Sequence, residues 1–477
     1  MFKRNHLYLL ILFILCFFSR VLTSIYYIED IDSLRFAFSL YDYDITKLQP
    51  HFPGYPVFCF IAKIIYLVTG SMGITFSIIG GVSIFFIIYY LLKFDNNEIG
   101  SFVGLFLIFV IFFNPLIWLM SNRYMPDIMG LALVVAILYQ LIVRSNNTPL
   151  LYCGYFLSGI LAGIRLSYLP LIAIPFISGI IKNDKKFKLI TLFLSGIILW
   201  LIPLIWITGF ENLWSSALNH AYGHFTDYGG SIFTEKNWII RLLHIVESVW
   251  ADGLGGYWIG RSWVTGIFSF ILFALLMFGY RTIINNWRYE KTIKILIYCV
   301  LIYLLWIFFS QNIVYKSRHI LPVLILFFMI LKIGFKYVLT KRSTKLNIVV
   351  ILFVILLTQI TTTLVFDHRN PSAISQLKDY LLKQKNVPTI LGTPLINYYL
   401  KSNQVKTNYI NIDDNFSLEK YLIDKNNDEI LMIGNFKSLF MNSFFIEQKK
   451  SFYHNPYINR MWSQIDTYYL IHKNQKK

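Results

Sequence analysis

Charge is scarce in this chain, and acidic charge most of all. Only 14% of the 477 residues are Asp, Glu, Lys or Arg, with 25 acidic against 43 basic. Hydrophobic residues make up 56% and mean hydropathy is +0.57, a balance that excludes a soluble domain of this size. Cysteine is nearly absent. Cys16, Cys59, Cys153 and Cys299 all fall inside apolar stretches with no metal-like spacing, so they read as small buried side chains. No internal repeat and no low-complexity tract is present.

What is abundant is apolar sequence in long runs. Spans are expected at 7–28, 73–92, 100–119, 128–143, 150–164, 168–181, 189–209, 263–280, 294–309, 320–336 and 346–366. The fold class is therefore an α-helical polytopic membrane protein of about eleven transmembrane helices. The net charge of +18 would raise nucleic-acid binding in a soluble chain. Here the basic residues cluster in short connectors between apolar runs, as the positive-inside rule produces, and nucleic acid is excluded. Leu7–Ile28 follows Lys3 and Arg4, is longer than a signal-peptide core and lacks a small-residue cleavage site, so it reads as a retained anchor.

The stretch 55–69 is short for a span, holds Lys63 and follows a Pro-Gly turn. Parity decides it. If 55–69 lies at the interface, the basic connectors 182–188, 281–293 and 336–345 are cytoplasmic along with 93–99 and 144–148; if it crosses, all of them face outward. An interfacial helix is expected there. The loop 29–72, the turn 121–127, Arg165, the loop 210–262 and the turn 311–319 then share the outer side of a plasma membrane. The chain divides into a membrane domain, 1–366, and an outer domain, 367–477, where polar residues become frequent. The outer domain reads as a small α/β fold, with a helix at Ser372–Lys383 and strands at 389–392, 405–411, 429–433 and 466–472.

The scarce acidic residues concentrate where they cost most. Glu29, Asp30, Asp32, Asp42 and Asp44 follow the first span, and Pro50-His51-Phe52-Pro53-Gly54-Tyr55-Pro56 closes that loop. Ionisable groups beside membrane helices default to functional hypotheses. Arg20, Asp30, Asp32, His51, Asp127, Arg165, Lys316, Arg318 and His319 all fall at one outer level. Arginine's planar fork suits phosphate oxygens, and a carboxylate suits proton removal from an acceptor. Asp32 and Asp127 also suit a shared divalent cation (Mg, Mn or Zn). Plainer roles compete: Asp127 as a helix cap, Arg20 paired with Glu29, Arg123 and Lys316 snorkelling to the interface, and Asp42 and Asp44 as solvated turn residues. His220, His224 and His244 are weak candidates for metal binding.

These residues resemble motifs of the GT-C superfamily, polytopic glycosyltransferases that use polyprenyl-phosphate-linked sugars, in the branch of protein O-mannosyltransferases and aminoarabinose transferases. Asp32-Ser33-Leu34-Arg35-Phe36-Ala37 is similar to the acidic motif of their first outer loop. Gln49-Pro50-His51-Phe52-Pro53-Gly54-Tyr55-Pro56 is similar to their His-Pro-Pro motif, with Phe52 in place of the usual first proline. Asp127 in Tyr124-Met125-Pro126-Asp127 matches the second loop's acid. Gly163-Ile164-Arg165 and Arg318-His319-Ile320-Leu321-Pro322 match later basic positions.

The resemblance covers roughly 1–366. It implies transfer of a sugar from a polyprenyl-phosphate carrier to a lipid, glycan or protein acceptor at the outer face, with inversion. Asp32 is the expected base, with Asp30 as its near rival and Asp127 as second carboxylate or metal ligand. Arg165, Arg318, His319, His51 and Arg20 are expected to bind the carrier. The rival class is a transporter or flippase of polyprenyl-linked sugars, which would need no paired outer carboxylates.

Overall fold

The computed structural model describes residues 2–94, 98–226, 231–234, 237–288, 290–413, 430–441 and 444–472. Parts of the expected connector 93–99, of the loop 210–262 and of the strand 429–433 fall outside these residues. The chain forms two compact units, one of residues 1–26 with 35–369 and one of residues 27–34 with 370–477.

The first unit is helical. It holds α1 (Phe2–Leu22), the last turn of α2 (Ile31–Phe38), α3 (Pro56–Thr69), α4 (Met72–Phe94), α5 (Phe102–Phe112) and α6 (Pro115–Asn122). Then come α7 (Asp127–Leu138), α8 (Thr148–Arg165), α9 (Leu169–Lys182), α10 (Lys186–Thr208), α11 (Phe210–Thr226) and α12 (Trp238–Glu247). It ends with α13 (Trp263–Asn285), α14 (Lys291–Ser310), α15 (Leu324–Thr340) and α16 (Thr344–Asp367). Large apolar side chains such as Trp206, Ile181 and Phe270 are exposed, as lipid-facing residues of an integral membrane protein are.

Among the described residues, eight helices are long and apolar enough to cross a membrane, or nine if the bent pair α5–α6 is one span. Two segments separate this from the eleven expected. Asp127–Val143 is apolar but shorter than the eight. Thr148–Lys182 counts as one 35-residue run, yet it folds back on itself. The Tyr155 hydroxyl donates to the Phe176 carbonyl at 2.5 Å, whereas residues that far apart on a straight helix lie about 30 Å from one another. The reversal falls where Arg165 leaves helical geometry (φ −153°, ψ 82°). The α5–α6 bend of 53° sits at Asn114-Pro115, where the Asn114 side chain caps the Ile117 amide at 3.0 Å and proline opens the new helix.

Close helix contact depends on glycine between α8 and α10. A Cβ on Gly159 would stand 2.2 Å from the Phe193 carbonyl, and one on Gly196 would stand 2.3 Å from that of Phe156. No larger residue permits that approach. As expected, α3 is too short to cross, and its Phe60, Leu67 and Val68 are exposed.

The second unit carries α17 (Ala373–Leu382), α18 (Pro394–Ser402) and strands β1 (Thr389–Gly392), β2 (Tyr409–Asn411), β3 (Ile430–Ile433), β4 (Phe444–Tyr453) and β5 (Gln464–His472). The sheet order is β2-β1-β3-β5-β4, with β1 parallel to β2 and β3, and β5 antiparallel to β3 and β4. Leu391, Met432, Phe440, Tyr468 and Leu470 form its core. Four expected strands are present, although β2 is shorter than 405–411. The fifth, β4, is an unexpected edge strand. Residues 27–34, which include Glu29, Asp30 and Asp32, belong to this unit together with the C-terminal part of the chain.

Candidate active site

In the membrane unit the site is built where α7 begins and α8 ends. Asp127 opens α7 directly after Pro126, a position where helix polarity favours negative charge. Gly130, one turn on, lets α8 come close, since a Cβ there would stand 2.7 Å from that of Arg165. The approach sets Arg165 Nη2 2.9 Å from Asp127 Oδ1, with both side chains buried. Arg318 Nε lies 3.8 Å from the same oxygen, delivered by the 3-10 turn Ser317–Val323 that also carries buried His319. Neither Asp127 oxygen accepts a well-aligned hydrogen bond from the protein; its contacts are ionic.

Tyrosines surround this triad. Arg165 Nη1 donates to the Tyr55 hydroxyl at 3.3 Å, and the guanidinium lies 5.7 Å from the ring centres of Tyr55 and Tyr168. The Tyr303 hydroxyl donates to the His319 carbonyl at 3.1 Å and its ring meets that of Tyr168 edge-on. Tyr55 is set by the proline-rich turn. Gly54 is left-handed (φ +84°), and a Cβ there would collide with Ile45 at 2.5 Å, so only glycine serves. The peptide bonds before Pro50 and Pro53 are cis. His51 Nε2 lies 3.1 Å from the Tyr55 hydroxyl, and its ring stacks on His220, which stacks on His224.

The structure thus gathers Asp127, Arg165, Arg318 and His319, and links His51 to them through Tyr55. Arg20 meets other partners. Its guanidinium lies 3.8 Å over Trp118 and 4.5 Å over Phe112, and it donates to the Phe112 carbonyl at 2.8 Å. An arginine enclosed between aromatic rings of α5 and α6 ties those helices together. Arg123 is also buried, with Nη1 3.5 Å from Met120 Sδ, rather than snorkelling.

Glu29, Asp30 and Asp32 belong to the other unit. Asp30 caps α2, accepting from the Ser33 amide at 2.8 Å, and its second oxygen accepts from Asn459 Nδ2 at 3.0 Å. Both Asp30 oxygens are thus engaged. Asp32 is buried in the first turn of α2. The exposed pair of Lys47 with Asp42 and Asp44 keeps those two in the solvated turn expected of them. Partial burial pushes the Asp44 carboxyl up, but the hydrogen bonds from Thr46, with Lys47 beside it, together hold it below its ordinary range.

A divalent cation does not suit the surroundings of Asp127. Its neighbours are two guanidiniums, and among the described residues no group of three His, Cys, Asp or Glu side chains is placed to hold a metal ion. His220 and His224 stack with His51, while His244 pairs with Glu247 at 3.2 Å. Sequence reading missed Tyr55 as a site residue, although it quoted the motif that holds it. It also missed Asp252, buried in a π-helical turn (Ser248–Gly253) whose Gly253 packs on Ile320 of the Arg318 turn. A π-turn is a frequent mark of a functional site.

No family model and no curated protein matches the chain. Solved structures do. The chain aligns over 97% of its length with 97% of ArnT from Cupriavidus metallidurans bound to undecaprenyl phosphate, at TM-score 0.52 and 10% identity. It aligns over 96% with 97% of the apo form, at TM-score 0.54 and 9% identity. The chain has the fold of these ArnT structures. The likeness runs through the membrane helices and the C-terminal unit alike, so the expected helical polytopic architecture with a small α/β C-terminal unit holds.

Proposed function

We propose that the chain is a membrane glycosyltransferase that moves a sugar from a polyprenyl-phosphate carrier to a lipid, glycan or protein acceptor at the outer face of the membrane. The observation that carries this reading is the buried Asp127–Arg165–Arg318 cluster. Two guanidiniums meet one carboxylate beside tyrosine hydroxyls, a donor set that suits a phosphate. The fold it sits in is also that of an ArnT solved with undecaprenyl phosphate bound.

In this reading Arg165, Arg318 and His319 hold the carrier phosphate. The acceptor oxygen attacks the anomeric carbon, the bond from that carbon to the phosphate oxygen breaks, and the carrier phosphate leaves with the electron pair. Asp32 takes the acceptor proton. The arginines neutralise charge as it grows on the leaving phosphate, and no metal is required at Asp127.

The test is sugar release from a radiolabelled polyprenyl-phosphate sugar by protein in bilayers. Asp32→Asn is expected to lower transfer by about 10²–10⁴-fold while leaving the protein folded. Full activity in Asp32→Asn would overturn the base assignment. If no sugar leaves the carrier with any acceptor and labelled carrier changes leaflet, a transporter is the answer.

A further inference from the structure

We propose that Asn459 positions the acidic turn for transfer, so that the C-terminal unit is a working part of the acid–base centre. This rests on the glycosyltransferase reading with Asp32 as base. The observation is a chain of hydrogen bonds inside one compact unit, joining residues far apart in sequence. Asp30 and Asn459 are both buried, and Asn459 Nδ2 donates to Asp30 Oδ2 at 3.0 Å. The amide orientation is fixed, because Asn459 Oδ1 accepts from the Met461 amide at 2.9 Å and only Nδ2 is left to face the carboxylate.

Asn459 is itself held. His454 Nδ1 accepts from the Ala373 amide at 3.0 Å, so the proton sits on Nε2, which donates to the Asn459 carbonyl at 2.8 Å. On the other side, Asp30 Oδ1 caps the Ser33 amide and so fixes the first turn of α2, the turn that carries Asp32. A second tether acts upstream, where the buried Tyr399 hydroxyl donates to the Ile28 carbonyl at 2.6 Å. Burial, with the charges of Asp30 and Glu29 added, pushes the Tyr399 hydroxyl well up, keeping its proton available for that bond. The acidic segment is therefore clamped before and at the turn by residues of α18 and of the loop between β4 and β5. Because a misplacement of about 1 Å costs about 10²-fold in rate, the clamp matters to a base that must meet an acceptor proton.

Asn459→Asp separates a donor from a space-filler. The variant is isosteric but sets a carboxylate 3.0 Å from that of Asp30, where like charges repel. The experiment uses full-length protein in nanodiscs and reads hydrogen exchange over 28–36 together with steady-state kinetics on a polyprenyl-phosphate sugar. In Asn459→Asp, exchange is expected to rise at Ser33 and Leu34 while β1 and β3 keep wild-type protection. Transfer kcat is expected to fall about 10²-fold with donor KM little changed, and further than in Asn459→Ala. His454→Gln, which loosens Asn459 without touching Asp30, is expected to give a smaller fall of the same kind and serves if Asn459 variants lose the sheet.

Wild-type exchange or wild-type kcat in Asn459→Asp would overturn the positioning role. So would Asn459→Asp and Asn459→Ala losing the same activity. If wild type is active and Asp32→Asn is not, such a result refutes positioning alone. If wild type turns over no carrier-linked sugar, the functional reading fails and the positioning role falls with it.

Discussion

Replacing Asp127 with asparagine tests the cluster at its centre. The substitution keeps the shape of the side chain and removes a charge that opposes both Arg165 and Arg318, at 2.9 and 3.8 Å. Unit charges about 4 Å apart attract by about 4 kcal/mol at an effective dielectric near 20. Removing one partner of a buried pair costs about 3–5 kcal/mol, because the other charge is left uncompensated. Here two guanidiniums lose that partner at once, so a loss within that range is expected. Denaturant titration of the purified protein in mixed micelles measures it.

A double-mutant cycle with Arg165→Gln isolates the pair. Removing both charges is expected to recover much of the stability lost by Asp127→Asn. Polyprenyl phosphate is expected to stabilise Asp127→Asn more than wild type, since the carrier anion takes the place of the missing carboxylate. A chelator is expected to leave both proteins unchanged. Asp127→Asn within about 0.5 kcal/mol of wild type, or strict additivity in the cycle, would refute the reasoning. Chelator-dependent stability in wild type alone would restore a metal at Asp127.

Further outcomes are expected elsewhere. Arg318→Lys keeps charge but loses the planar fork, and is expected to raise donor KM about tenfold, about 1.4 kcal/mol of affinity, in initial-rate assays. Arg20→Met is expected to lower the unfolding temperature while folded protein keeps its kcat, because Arg20 is enclosed by Phe112 and Trp118; loss of activity without loss of stability would return it to the site. Gly159→Leu is expected to abolish folded protein in size-exclusion profiles, since even a Cβ stands 2.2 Å from the Phe193 carbonyl.

Much of the fold was legible because lipid demands it. Long apolar runs announce helices. The helix reversal at Arg165 was legible as a charge between two short runs, and Tyr155 against Phe176 confirms it. The strand Phe444–Tyr453 was not. It is the sheet edge, its residues from Glu447 to Ser451 are exposed, and with one face of the alternation missing nothing in the sequence marks a strand.

The site divides along the same physical line. A charge in an apolar stretch is visible from sequence, because it must be compensated; Asp127, Arg165 and Arg318 were all found that way. What compensates it is not visible. Arg20 looked equivalent to Arg165 by depth, yet one is enclosed by aromatic rings and the other meets a carboxylate. That choice depends on which helices are neighbours, which apolar periodicity does not encode. The same holds for the acidic turn. Glu29, Asp30 and Asp32 are equally acidic in sequence, and nothing there shows that Asp30 is bound by an asparagine from the far end of the chain. Choosing a base among adjacent carboxylates is therefore a question about the second unit as much as about the turn. Variants at Asn459 answer it more directly than further substitutions among the acids.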